Sequence, residues 1–199
     1  MTQRSTGAAL RFPVHLYLAV FSLLLFSIFF TRLSYGEETT KAAKINASVN
    51  ETLERFYTQV KDGREVAKRA KGLLILPNVG KGAFIVGAEY GRGAMRVGGK
   101  TVDYYSMFTG SIGFQFGGEA KDIIIAFNTD EALKQFRTAK GWEAGVDGNV
   151  ALFTMGGGEN TLSAMNEHPV LAFVFDVKGL IADLSIKGAK FTKLNLEDN

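Results

Sequence analysis

KGAFIVGAEYGRG, residues Lys81–Gly93, is apolar, punctuated by glycine and patterned for strands. Gly82, Gly87, Gly91 and Gly93 recur too often for a helix interior, where each costs roughly 1 kcal/mol against alanine. Between them Phe84, Ile85 and Val86 are strong strand formers. The texture returns at Gly110–Gly118 (GSIGFQFGG) and, more loosely, at Gly179–Gly188. These read as strands of one sheet system, with glycines where a strand bends, bulges or approaches another backbone.

Outward from this stretch, the N-terminal side is helical. Ala42, Ile45, Val49, Leu53, Phe56 and Val60 are spaced by three and four, which predicts a helix over Lys41–Val60. Asp62-Gly63 stops it. A second helix, Arg64 to Lys71, sets Val66, Ala67 and Ala70 beside Arg64, Lys68, Arg69 and Lys71. Leu73–Leu76 is a short strand ended by Pro77-Asn78. Gly82–Tyr90 and Gly93–Val97 pair across a turn at Gly91-Arg92, and Gly98-Gly99 makes the next turn.

Thr101–Phe108 and Ser111–Phe116 follow as strands. DIIIAF, Asp122–Phe127, is a continuous apolar run of the kind covered on both faces. Thr129 or Asp130 caps a short helix, Glu131 to Phe136, with Leu133 and Phe136 inward. Trp142–Phe153 is a strand region broken at Asp147-Gly148, and Gly156 to Glu167 is loop. Val170–Val177, Leu180–Lys187 and Ala189–Leu194 complete the set, with turns at Lys178-Gly179 and Gly188. The expected fold is α+β and mainly antiparallel: a closed or nearly closed barrel-like sheet of about ten short strands with two N-terminal helices.

The chain has 199 residues, 46% of them hydrophobic, enough for one domain with a real core plus a targeting segment. The absence of cysteine removes disulfides, thiolate nucleophiles and Cys-based zinc sites. Arg4 and Arg11 precede an apolar run from Leu16 to Phe30, and Ser34 and Gly36 form a small-residue cleavage site. This is the grammar of a secretory signal peptide, residues 1–36. The run of about 15 residues is short for a span, which needs roughly 20. An uncleaved anchor over Phe12–Leu33 is the competing reading. Either address is the cell envelope, with the periplasm first.

The net charge of +3 belongs to this segment, which holds three arginines and no acid; the remainder balances 20 basic against 20 acidic side chains. The charge is therefore not a nucleic-acid footprint. It is polarised along the chain, because residues 41–71 hold eight basic and four acidic side chains and residues 144–199 hold four and seven.

The sequence carries no catalytic constellation and implies no cofactor or metal. His15 lies in the leading segment, and His168 before Pro169 suits a structural or solvent-facing role. There is no G-x-S-x-G elbow. The stretch Ala94–Thr101 lacks the first glycine of a phosphate loop and is better explained as a Gly-Gly-Lys hairpin. Glu89, Asp103 and Asp122 are scattered, with a surface role as the default; a carboxylate pair meeting in space stays open. Two binding signals remain. One is the basic segment 41–71, either a core-packing helix with a solvated face or a face that docks on anionic head groups. The other is the aromatic cluster Tyr90, Tyr104, Tyr105, Phe108, Phe114 and Phe116, either core or an apolar binding patch.

AKGLLILPNVGKGAFIVGAEYGRG (Ala70–Gly93), GSIGFQFGGEAKDIIIAFNTDEALKQF (Gly110–Phe136) and FVFDVKGLIADLSIKGAKF (Phe173–Phe191) together resemble the SYLF domain, over roughly residues 41–194. Departures are Asp176-Val-Lys-Gly and Ala182-Asp183 in the closing block. The resemblance implies a non-catalytic lipid-binding domain over 37–199. Eukaryotic relatives bind phosphoinositides through a basic N-terminal region, and fungal relatives also bind actin. Carried over by position, the lipid-contacting candidates are Lys41, Lys44, Arg64, Lys68, Arg69 and Lys71. An exported chain meets neither actin nor cytoplasmic phosphoinositides, so the partner expected here is an anionic envelope phospholipid. A small outer-membrane β-barrel is the alternative, although the Leu-Glu-Asp-Asn ending lacks the terminal aromatic strand of that class.

Overall fold

The computed structural model describes residues 41–81, 88–110, 120–153, 160–178 and 186–196. The signal peptide or anchor at 1–36, the strand Ser111–Phe116, the glycine loop from Gly156, and most of the strands Gly82–Tyr90 and Leu180–Lys187 lie outside the described residues.

Helix α1 covers 41–59, as the three-and-four spacing predicts, and Val49, Phe56 and Val60 of its stripe are buried. Asp62 turns the chain with φ 61°, and α2 runs Gly63–Arg69. The strands are β1 (Gly72–Lys81), β2 (Ala88–Val97), β3 (Lys100–Gly110) and β4 (Ala120–Phe127), then β5 (Trp142–Glu143), β6 (Ala151–Phe153), β7 (Val170–Lys178) and β8 (Lys190–Lys193). Helix α3 (Asp130–Thr138) follows β4, and α4 (Thr161–Glu167) precedes β7. The strands form one sheet in the order β5-β8-β3-β2-β1-β4-β7-β6, antiparallel except for the β6–β7 pair.

The sheet is a curled half-barrel, α+β and mainly antiparallel as expected, but not closed, and it holds eight strands among the described residues rather than about ten. One ring measures the curl. Phe136 of α3 lies 4.8 Å from Phe127 on β4 and 5.3 Å from Trp142 on β5, centroid to centroid. Those strands are five places apart, about 24 Å across a flat sheet at ~4.8 Å per strand. The sheet therefore wraps around α3. Tyr105 and Phe191 complete the ring cluster at 4.9 and 5.9 Å from Phe136.

The opposite face is covered by α1, α2 and α4. Phe56 of α1 packs at 5.2 Å on Phe173 and 5.5 Å on Phe175 of β7. Leu73, Ile75, Ala94, Ile124 and Ala126 share this layer, while Leu74, Leu76, Met95, Ile123 and Ile125 face α3. The central strands β1 and β4 are thus buried on both sides, which the apolar run Asp122–Phe127 anticipates. A two-sided core leaves these strands no lipid-facing band, and this counts against the outer-membrane barrel.

Three local expectations fail. Pro77-Asn78 does not end the first strand. It forms a bulge inside β1, where the register with β4 shifts between Leu76 and Val79 and Asn78 takes φ 47°. Gly91-Arg92 is not a turn, because β2 runs straight through it. The glycines there serve close approach: a Cβ on Gly93 would stand 1.8 Å from the Ile75 carbonyl oxygen, and one on Gly91 2.6 Å from Val79 Cγ2. The segment read as loop up to Glu167 contains α4, capped by Asn160, whose side-chain oxygen accepts from the Leu162 and Ser163 N–H groups. The two-residue turn at Gly98-Gly99 is correct, with φ 56° and 78° as a primed hairpin turn requires. Thr129 caps α3 by accepting from the Ala132 N–H.

Candidate functional site

The carboxylates read as surface groups are buried. Asp122, on β4, faces α1. Its Oδ2 accepts from Arg55 Nε at 2.8 Å and from Thr52 Oγ1 at 3.4 Å, and its Oδ1 accepts from the Asn78 N–H at 2.9 Å. Arg55 also reaches Asp176 of β7 at 3.3 Å, and Asp176 sits at φ 48° where β7 bulges against β4. Two bulges and a helix are therefore pinned by one carboxylate. The adjacent Lys121 points to the other face, 1% exposed, with its Nζ 3.0 and 3.3 Å from the Glu89 oxygens. Asp103 is held by Arg137 at 2.9 Å and by Lys193. Each acid is neutralised by its own cation, so these carboxylates serve packing. Only the charge inside DIIIAF hinted at this, since an acid within a doubly covered strand must find a partner.

The six cationic candidates divide. Lys41 and Lys44 lie on the first turns of α1, and Lys44 is roughly 20 Å along the axis from Tyr57 at ~1.5 Å per residue. Arg64, Lys68 and Arg69 lie on α2, and Lys71 leads into β1, its N–H donating to the Phe127 carbonyl. Arg64 pairs with Glu54 at 3.6 Å, Arg69 with Glu65 at 2.7 Å and Lys71 with Asp130 at 3.6 Å. The Arg69 hydrogen bond holds the Glu65 carboxyl below its usual range. Lys41, Lys44 and Lys68 make no ion pair among the described residues.

Lys68 borders a hollow of about 320 Å³ between α1, α2 and the β2–β3 turn. Leu53, Tyr57, Ala67 and Leu73 form its walls, and Lys68, Arg96, Gly98 and Gly99 its polar rim. The Arg64 guanidinium sits 4.5 Å from the Tyr57 ring centre. Burial, then the Glu54 charge, pushes the Tyr57 phenol up, while Arg64 and Arg96 pull it down. Arg96 reaches the Asn50 side chain at 2.6 Å and the Gly99 carbonyl at 3.1 Å. Sequence reasoning missed Arg96, which is 25 residues beyond the basic segment and joins it only through the fold.

The aromatic signal lies elsewhere. Tyr105 is core, with its phenol pushed up to about 12 by burial and the nearby Asp103 charge. Tyr90 and Phe108 face each other across β2–β3, 39% and 45% exposed, with Arg92 bonded to the Tyr90 hydroxyl. Tyr90 sits opposite Gly80, at the far end of β1 from α2. Tyr104 instead packs against α1, its hydroxyl accepting from the Asn46 side chain, so the aromatic signal divides between the α1 face and the end of β1 far from α2. Phe114 and Phe116 lie outside the described residues. A larger hollow of about 780 Å³ is bordered by Val150, Leu152, His168, Pro169, Ile186 and Lys187. His168 ends α4, its N–H on the Ala164 carbonyl and its carbonyl accepting from Asn128, a structural role. Among the described residues no acid, histidine and cysteine group could hold a metal, and no helix is long and apolar enough to cross a membrane.

Fold and surface define a half-barrel α+β domain whose leading helices carry Lys41, Lys44 and Lys68 without an ion pair among the described residues. Residues 108–198 match the family model described as "Ysc84: Las17-binding protein actin regulator". That match bears out the SYLF resemblance over these residues, where the chain is similar to the Ysc84 (SYLF) family. The six cationic candidates and Arg96 all precede the matched residues. No curated protein matches the chain.

Proposed function

We propose that this chain is an exported, non-catalytic domain that associates with anionic phospholipid at an envelope membrane, through the cations of α1 and α2. One observation carries the reading: Lys41, Lys44 and Lys68 stand on the helical face without an acidic partner among the described residues, and Arg64 is only loosely paired with a carboxylate that is itself about two-thirds exposed. Each such cation contributes about 1 kcal/mol near an anionic surface. Glu65 holds Arg69 at 2.7 Å, so this guanidinium contributes less, while Lys71, 3.6 Å from the exposed Asp130, is as loosely paired as Arg64. Actin regulation stands in the description of the family model; in an exported chain the lipid is the partner within reach.

Flotation of the full chain with phosphatidylglycerol and with phosphatidylcholine vesicles tests the reading. Binding to the anionic vesicles alone, weakening as salt rises, is the expected result. Equal behaviour toward both vesicle types would sink it. The intact mass of the exported protein shows whether it begins at Glu37, and fractionation shows whether it resides in the periplasm.

A further inference from the structure

We propose that the 320 Å³ hollow between α1, α2 and the β2–β3 turn is a subsite for a phosphate-class oxyanion, with Arg96 and Lys68 as its two cationic jaws. The inference deepens the lipid reading and rests on it for the source of the phosphate. Its warrant is local. Arg96 spends two N–H groups, on Asn50 and on the Gly99 carbonyl, of the five a guanidinium carries. Its Nε is buried and meets no acceptor. A buried donor without a partner costs about 1–3 kcal/mol; Arg96 lines the hollow, and a small turn of its side chain would bring that donor to an oxyanion there.

Lys68 lines the same hollow from α2, and Arg64 stands over the Tyr57 ring that walls it. Two carboxylates lie near these cations, and each is engaged: Glu54, 68% exposed, with Arg64, and Glu65, which also feels the Lys68 charge, with Arg69. The local field is positive. At about 320 Å³ the hollow lies at the lower end of the roughly 300–1,000 Å³ range of small-molecule sites. A phosphate with a small polar alcohol suits that size, and an acyl chain does not. Gly98 and Gly99 carry no side chain over the rim, and a Cβ at either would meet nothing within 4 Å, so the mouth is open. Glycerol phosphate, free or as a lipid head group, has the required chemistry.

The test uses the full chain labelled with ¹⁵N and titrated with glycerol 3-phosphate, in wild type, R96Q and K68Q. Saturable shifts of the Gly98, Gly99 and Ala67 amides are expected, with Kd raised about tenfold by either substitution. K68Q alters an exposed helical side chain that makes no ion pair among the described residues, so it reports even where R96Q disturbs the turn. An unchanged Kd in K68Q, or shifts confined to other residues, overturns the subsite. A second arm compares phosphatidylcholine vesicles with and without phosphatidic acid. Vesicle binding that K68Q weakens supports the subsite with a lipid head group as the source. Glycerol phosphate bound at these amides without vesicle binding supports it with a soluble phosphate ester, and then the membrane reading fails. Vesicle binding that leaves these amides unmoved overturns the subsite, while the membrane reading stands.

Discussion

Asp122 and Arg55 meet at 2.7 Å across the boundary between sheet and helix, with the carboxylate 1% exposed and the guanidinium 30%. The contact fastens α1, which carries part of the cationic face, to the strand at the middle of the core. Replacing Asp122 by Ala leaves the Asn78 N–H without its acceptor and the Arg55 charge with Asp176 alone. The expected loss is about 3 kcal/mol, the low end for a broken buried pair because Arg55 reaches water. Urea unfolding of D122A against wild type measures it, and a loss below roughly 1 kcal/mol would show the joint to be dispensable.

The Glu89–Lys121 pair lies deeper on the Lys121 side and is sealed inside the curl. Glu89→Ala strands a buried ammonium and should cost ~3–5 kcal/mol, whereas the double change Glu89→Leu with Lys121→Met should recover most of it. A double-mutant cycle on unfolding free energies decides the matter. Additive single effects would mean that the two side chains do not interact.

Gly93→Ala and Gly98→Ala should separate two uses of glycine. At Gly93 the new methyl would stand 1.8 Å from a backbone oxygen of β1, so the central pairing must open. Failure to fold, or a loss well above ~3 kcal/mol, is expected. At Gly98 there is space but φ is 56°, so the cost is conformational, about 1 kcal/mol. Thermal melts of both variants give the order, and the reverse order would refute the packing argument.

Tyr105 should titrate late. Burial raises its phenol from 10.0 to about 12, chiefly by excluding water from the phenolate. The raised value means that the folded state keeps the proton longer than the unfolded state. The stability this contributes is whole below pH 10 and is lost as pH rises toward 12. Ultraviolet titration should show a tyrosine component that titrates toward pH 12 in wild type, and Tyr105→Phe should remove it. A late component that persists in the variant would assign it to another ring.

Vesicle affinity should fall unequally across the cations. Lys41→Gln with Lys44→Gln should weaken binding to phosphatidylglycerol vesicles by about 2 kcal/mol, at ~1 kcal/mol per cation. Arg69→Gln should do less, because its guanidinium is already engaged at 2.7 Å with Glu65. Flotation across a salt series ranks them, and an Arg69 effect equal to the double change would mean that the helix acids do not screen it.

What the chain determines by itself is local. The three-and-four spacing of Ile45, Val49, Leu53 and Phe56 makes α1, Gly98-Gly99 makes a hairpin turn, Thr129 caps α3, and the run at Asp122–Phe127 is a strand covered twice. Each depends on residues within a few positions, where backbone dihedrals and side-chain periodicity act directly. What only the tertiary structure decided depends on groups brought from far along the chain. Arg55 stands 67 positions from Asp122, and Asn50 stands 46 from Arg96. The bulge at Pro77-Asn78, the bare backbone at Gly91 and Gly93, the opening of the curl and the recruitment of Arg96 beside Lys68 all follow from such meetings. A buried charge is stable only beside its partner, and no spacing rule within one segment names a partner that lies in another.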